Sequence, residues 1–179
     1  MSFSSDIADP LNCELGVAIN PTFTWSYNIS KVEAQTLNSV AVDVAARSKQ
    51  LTNITSNTKV TLFASYKGYT DSKEIEFRFV PRIYYGTSIS DSLSDVTRLD
   101  SHLGDINGAS FDCRSYSDGG YAYIAIPFDY KDKVELLING NMSLKAYTIS
   151  DISVNNMKYA LLKLDNKYYG HFNLDIKLK

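Results

Sequence analysis

Ser90-Asp91-Ser92-Leu93-Ser94-Asp95, with Asp100-Ser101-His102 close behind, contains the residue types of a hydrolase triad: a hydroxyl nucleophile, an imidazole base and a carboxylate to orient it. No nucleophile-elbow signature accompanies them, and a triad is recognised by its geometry in space rather than by closeness along the chain. A capped, solvated helix start explains the same residues more simply, because Ser and Asp side chains accept hydrogen bonds from the free amides of a first turn. His102 and His171 stand at no metal-ligand spacing and read as surface or partly buried histidines. Glu74 and Glu76 share one strand face, so they would meet the roughly 5–9 Å separation of a glycosidase pair only by accident. The chain has no Gly-x-x-x-x-Gly-Lys-Ser/Thr loop and no Gly-x-Gly-x-x-Gly opening a helix, and Gly119-Gly120 reads as a turn. These residues point to no catalytic, cofactor-binding or metal-ligating site, no cofactor, and a protein that is not an enzyme.

The elements that carry these residues are predominantly strands. Phe23, Trp25 and Tyr27 alternate with hydroxyl residues, the period of two of a strand with one buried face. Val40, Val42 and Val44 suggest a shorter strand. Lys59–Tyr66 is β-branched and aromatic, and Lys67–Asp71 supplies turn residues. In Lys73–Val80, Ile75, Phe77 and Phe79 fall on one face and Glu74, Glu76 and Arg78 on the other, giving an antiparallel hairpin with the preceding strand. Pro81 donates no ladder hydrogen bond and marks the boundary between two halves.

In the second half, Arg82–Ser88 opens the pattern. Leu93, Val96, Leu99 and Leu103 recur at intervals of three and four, which predicts one short amphipathic helix between Ser90 and Leu103, capped by Ser90 or Asp91. Strands follow at Ala109–Cys113 and Gly120–Ile126. Asn139-Gly140 predicts a two-residue hairpin turn between Val134–Ile138 and Met142–Tyr147. Tyr159–Leu164 and Phe172–Leu178 complete the series, separated by Asp165-Asn166 and Gly170. The expected fold is all-β: two tandem β-sandwich domains, residues 1–80 and 81–179, the second with one short helix, joined without a flexible linker. A single mixed sandwich over the whole chain is the alternative.

At 179 residues with 44% apolar and 21% charged residues, the composition is that of a globular chain. Eighteen basic against twenty acidic residues give a net charge of −2, which argues against binding nucleic acid or an anionic membrane surface. No apolar run approaches the roughly 18 residues of a membrane-spanning helix, and the acidic start MSFSSDIADPLNCELG lacks the basic and apolar segments of a secretory signal. Cys13 and Cys113 lie far apart and read as reduced, packed thiols rather than a disulfide. The thirteen tyrosines are the one compositional excess. Tyr84-Tyr85, Tyr121 with Tyr123, and Tyr168-Tyr169 suit protein or carbohydrate contacts, and equally suit the lining of half-buried sheets. The sequons at Asn28, Asn53 and Asn141 are read as chance.

Glu14-Leu15-Gly16, Phe23-Thr24-Trp25-Ser26-Tyr27-Asn28, Gln35-Thr36-Leu37, Thr58–Ala64 running to Phe77-Arg78-Phe79, and Ile83-Tyr84-Tyr85-Gly86-Thr87-Ser88 together resemble a module of structural proteins of tailed bacteriophages. In that family an immunoglobulin-like or fibronectin-like domain with a core Trp precedes a Tyr-Tyr-Gly or Tyr-Trp-Gly segment and a second β-domain. Gly120–Pro127 is similar to that domain's aromatic strand ending in Pro. The resemblance spans roughly Glu14 to the carboxyl terminus and brings no catalytic residues. It implies a virion component of a tail, baseplate, neck or head fibre, assembled in the bacterial host cytoplasm. Many relatives carry these domains at the end of a longer chain, so the short leader here suggests an adaptor or decoration piece.

Three functions follow as expectations. The first is a non-enzymatic virion structural protein whose partners are other virion proteins and copies of itself, as a homo-oligomer with a trimer ahead of a dimer. The second is a carbohydrate- or receptor-binding module whose exposed tyrosines stack on a host-surface glycan. The third, ranked last, is a glycan-cleaving enzyme.

Overall fold

Phe23 and Trp25 are buried while Thr24 and Ser26 are exposed along the strand Thr22–Ser26, so the period-two pattern is realised in the computed structural model, which describes residues 1–29, 31–140, 142–143 and 147–179. Among the described residues there is no helix of seven or more residues, and the chain is all-β, built of several antiparallel sheets consistent with β-sandwich domains. It divides into two compact units, Met1–Phe79 and Val80–Lys179.

The first unit contains β1 (Ser2–Ser5), β2 (Cys13–Glu14), β3 (Thr22–Ser26), β4 (Ala34–Leu37), β5 (Val40–Ala41), β6 (Ser48–Gln50), β7 (Thr58–Tyr66) and β8 (Tyr69–Phe77); β9 (Phe79–Val80) spans the division. One sheet runs β1-β3-β6 and another β5-β4-β7-β8. Phe23 and Trp25 from the first meet Leu37, Val60, Leu62 and Phe77 from the second in one buried cluster. Side chains of that size gain about 1.5–3 kcal/mol each on burial, whereas an exposed ion pair such as Lys59–Glu74 (3.1 Å) gains about 0–1 kcal/mol, so apolar packing between the sheets holds this unit.

The β7–β8 hairpin is tighter than the sequence suggests. Tyr66 pairs with Tyr69, leaving Lys67 (φ 48°) and Gly68 (φ 81°) as a two-residue turn with both residues left-handed. The strand expected through Val40, Val42 and Val44 stops after Ala41. Asp43 ends it: its carboxylate accepts from the Ala45 amide at 2.8 Å, forming a local turn that competes with the ladder.

In the second unit, β10 (Arg82–Ser88), β11 (Asp100–Leu103), β13 (Gly120–Pro127), β16 (Tyr147–Val154) and β17 (Met157–Tyr168) form the five-stranded sheet β11-β10-β13-β17-β16. A second sheet runs β12-β18-β14-β15, from β12 (Ser110–Arg114), β14 (Val134–Ile138), β15 (Met142–Ser143) and β18 (His171–Leu178). Ile83, Ile124, Ile126 and Leu162 on one sheet pack with Phe111, Leu136, Leu174 and Ile176 on the other. The outer face of the five-stranded sheet carries a smaller cluster of Tyr84, Tyr123, Ala125, Tyr159 and Leu161, closed by Val96.

Val96 belongs to the segment expected to be a helix, and that expectation is corrected. Only Val96–Arg98 turns, as a 3-10 helix, and Asp100–Leu103 is a strand paired with β10. The serines explain the difference: the Ser88 hydroxyl accepts from the Ser90 amide (3.1 Å) and the Ser90 hydroxyl donates to the Ser92 carbonyl (2.6 Å), local bonds that displace the helical ladder. The cap is Asp95, not Ser90 or Asp91, its carboxylate accepting from the Thr97 amide at 2.9 Å. The spacing of Leu93, Val96 and Leu99 reflects a loop laid on a sheet face.

Asn139 (φ 51°) and Gly140 (φ 71°) are left-handed as a hairpin turn requires, but Ile138 pairs with Met142, so three positions rather than two separate the strands. The expected continuation to Tyr147 falls on residues 144–146, outside the described residues. Asp165 and Asn166 do not end the strand begun at Tyr159; β17 runs unbroken through them.

Candidate functional site

The triad-like residues are brought to different tasks. Asp91 holds Lys163 in an ion pair, and the hydrogen bond that its carboxylate accepts from the ammonium raises the lysine pKa above its ordinary value. Ser90 offers its carbonyl to the Tyr123 hydroxyl at 2.8 Å, so the serine loop is pinned to the outer sheet face at two points. Burial raises the Tyr123 pKa, with Lys163 opposing. Asp95 is held below the usual carboxylate range by its two bonds from Thr97 and by Arg98. His102 lies on β11 opposite Ile83, its ring 5.8 Å from that of Phe111. None of these contacts joins a serine hydroxyl to the imidazole.

His171 Nδ1 lies 3.6 Å from Asp112 on an exposed surface. Among the described residues, no group of three or more His, Cys, Asp or Glu is placed to hold a metal ion. Glu74 is engaged with Lys59 and with the Thr61 hydroxyl (3.2 Å), while Glu76 stands opposite Lys59 in the β7–β8 register. Both cysteines are free and buried, each in the core of its own unit. Burial, then the nearby Asp112 and Asp100, pushes the Cys113 thiol up to about 12. Burial and Asp9 raise that of Cys13. These thiols are protonated and poorly nucleophilic.

The tyrosines range from buried to exposed, with several half-buried between. Tyr84, Tyr123 and Tyr159 are buried in the outer cluster, and Tyr85 stacks on Phe111 at 4.2 Å in the inter-sheet core. Tyr69, Tyr116 and Tyr169 are exposed, at 81%, 53% and 66%. Tyr69 borders a mainly apolar cavity of about 240 Å³ in the first unit, with Tyr27, Tyr66 and Val32. Tyr116 borders two adjoining grooves in the second unit, of about 260 and 320 Å³, that share Thr87, Arg98 and Leu99. Asp100, Asp112 and Arg114 line one of them and Ser88, Ser90 and Asp95 the other, giving hydroxyl, carboxylate and guanidinium groups beside an aromatic ring.

The edges of the sheets differ in chemistry. β8, at one edge of its sheet, carries Asp71, Lys73, Glu74 and Glu76, charges that discourage pairing with another chain. β16, at the edge of the five-stranded sheet, is eight residues long, has a regular register with β17, and carries one charge, Asp151. Lys158 Nζ neutralises that carboxylate at 2.7 Å. Thr148, Ile149, Ser150, Asp151 and Ser153 are exposed. β16 was invisible to the hydrophobic pattern because most of its outer residues are wet; the usable signal is the Asn155-Asn156 turn between β-branched residues and Met157.

No protein-family model matches the chain, and no curated protein matches it. The chain is an all-β protein of antiparallel sheets, with grooves beside Tyr116 and an edge strand, β16, that bears a single charge.

Proposed function

We propose that this chain is a non-enzymatic structural subunit of a tailed-bacteriophage particle, in a tail, neck or head-fibre position, that works by protein–protein assembly. In this reading the units are tandem β-sandwich domains, the first immunoglobulin- or fibronectin-like. The observation that carries it is where the resembling residues stand. Trp25 fills the core between the two sheets of the first unit, and Tyr84-Tyr85-Gly86 sits on a strand whose two faces feed both clusters of the second. The buried polar side chains are hydrogen-bonded among the described residues, and the buried residues are spent on packing. Partners are other virion proteins and further copies of the chain, with neither nucleic acid nor membrane among them. Mass spectrometry of purified particles, with immunogold labelling, tests this reading: peptides at a stoichiometry of copies per particle are expected, and particles free of the chain would overturn it.

A second reading, a module that binds a host-surface glycan, is favoured by the grooves beside Tyr116, where Arg and Asp side chains could bond sugar hydroxyls while the ring stacks on a sugar face. A glycan array probed with the full chain and with Tyr116→Ala separates the two, since binding lost in the variant is expected only of the second.

A further inference from the structure

The geometry points to β16 as a self-pairing edge: we infer that two copies of this chain join through antiparallel pairing of β16 with β16, about a two-fold axis at Ser150. Asn155 (φ 49°) and Asn156 (φ 63°) form a two-residue turn between Val154 and Met157, so the pair flanking the turn exchanges hydrogen bonds and the alternation is fixed from there. Val154, Ile152, Ser150 and Thr148 direct their backbone groups to β17, while Ser153, Asp151 and Ile149 direct theirs outward. Among the described residues no strand pairs with that outer side.

The second copy is the partner that fits this edge. In antiparallel pairing, outward-directed residues must face outward-directed residues, so a symmetric pair is centred on one residue. Centring on Asp151 would set two carboxylates opposite each other, which is destabilising. Centring on Ser150 keeps the same length of overlap and sets Thr148 against Ile152, Ile149 against Asp151, and Tyr147 against Ser153. No like charges face each other. The edge strand β8 carries four charges, Asp71, Lys73, Glu74 and Glu76, which discourage pairing with another chain. The two-fold pairing gives a dimer rather than the trimer placed ahead of it among symmetric homo-oligomers.

The inference deepens the assembly reading, and its test separates the two. Ser150 would form a non-hydrogen-bonded pair with its copy, Cα atoms about 4.5 Å apart, within disulfide range. Thr148 and its copy would lie about 13 Å apart along the strands, out of range. Under mild oxidation, the full-length Ser150→Cys variant is expected to form a disulfide-linked dimer and Thr148→Cys is not; both native thiols are buried, and the unmodified chain serves as control. Light scattering across a dilution series should give twice the chain mass for the unmodified protein and a single chain mass for Ile149→Pro, which removes an outward donor and leaves the β17 ladder intact. Ile149→Lys does the same by charge if the proline variant fails to fold. A monomeric unmodified chain, equal cross-linking of the two cysteine variants, or a dimer that survives both Ile149 substitutions would each overturn the pairing. Because the measurement uses the isolated chain, its failure leaves membership of a particle standing, and absence from particles leaves the dimer standing.

Discussion

The indole Nε1 of Trp25 on β3 donates to the side-chain oxygen of Gln35 on β4 at 3.1 Å, a bond between the two sheets of the first unit. Gln35 also accepts from the Tyr27 hydroxyl at 2.6 Å, and its amide nitrogen donates to the carbonyls of Asp43 and Ala46. One 2%-exposed amide thus fixes the core Trp and the 43–46 turn together. Gln35→Leu keeps the volume but strands the indole N–H, and should lower stability by about 1–3 kcal/mol in urea titrations. Gln35→Glu should be worse at neutral pH than in mild acid, where the introduced carboxyl is protonated.

Tyr123→Phe removes the donor to the Ser90 carbonyl and should lower the stability of the second unit by about 0.5–1.5 kcal/mol. Amide exchange across 90–95 should quicken in this variant and in Lys163→Met, while that of β13 and β17 stays slow. Unchanged exchange in the loop would mean that the apolar contacts of Leu93, Val96 and Leu99 hold it down.

The buried Cys113 thiol gives a pH dependence with a definite sign. Its folded pKa of about 12 lies above the ordinary 9.0, so the folded state keeps a proton that the unfolded state loses. Its contribution is complete below pH 9.0 and is withdrawn as pH rises toward 12, so stability falls across that window. Cys113→Ala should make denaturant midpoints flatter between those limits. At pH 8 both native thiols should resist a thiol-specific reagent until the chain is unfolded.

Asn156 holds a left-handed φ of 63° at the turn that delivers β16. Asn156→Val places a β-branched residue there and should cost about 1–3 kcal/mol, read as a lower melting temperature of the second unit. Asn156→Gly should be tolerated without loss.

Legibility in the sequence followed how each element is buried. β3, β7 and the inner half of β8 each have one dry and one wet face, so their alternation is plain in Phe23/Trp25 and Ile75/Phe77. β1, β4 and β6 are short, and Ser2–Ser5 and Ser48–Gln50 carry too few apolar residues to show a period. The loop over the outer sheet face misleads for the opposite reason. Leu93, Val96 and Leu99 are dried by tertiary contact with the tyrosine cluster at intervals that happen to match a helix. The grooves beside Tyr116 assemble residues from β10, β11, β12 and the 88–99 loop, a juxtaposition no local pattern encodes.

The last strand, His171–Leu178, lies between β12 and β14 rather than at a margin. On the ribosome, the first unit has all its strands in hand long before this segment emerges, so it can settle while translation continues. The sheet built around β18 has no such head start: Phe111 and Leu136 wait for Leu174 and Ile176, and the second unit closes only after its final residues have been made.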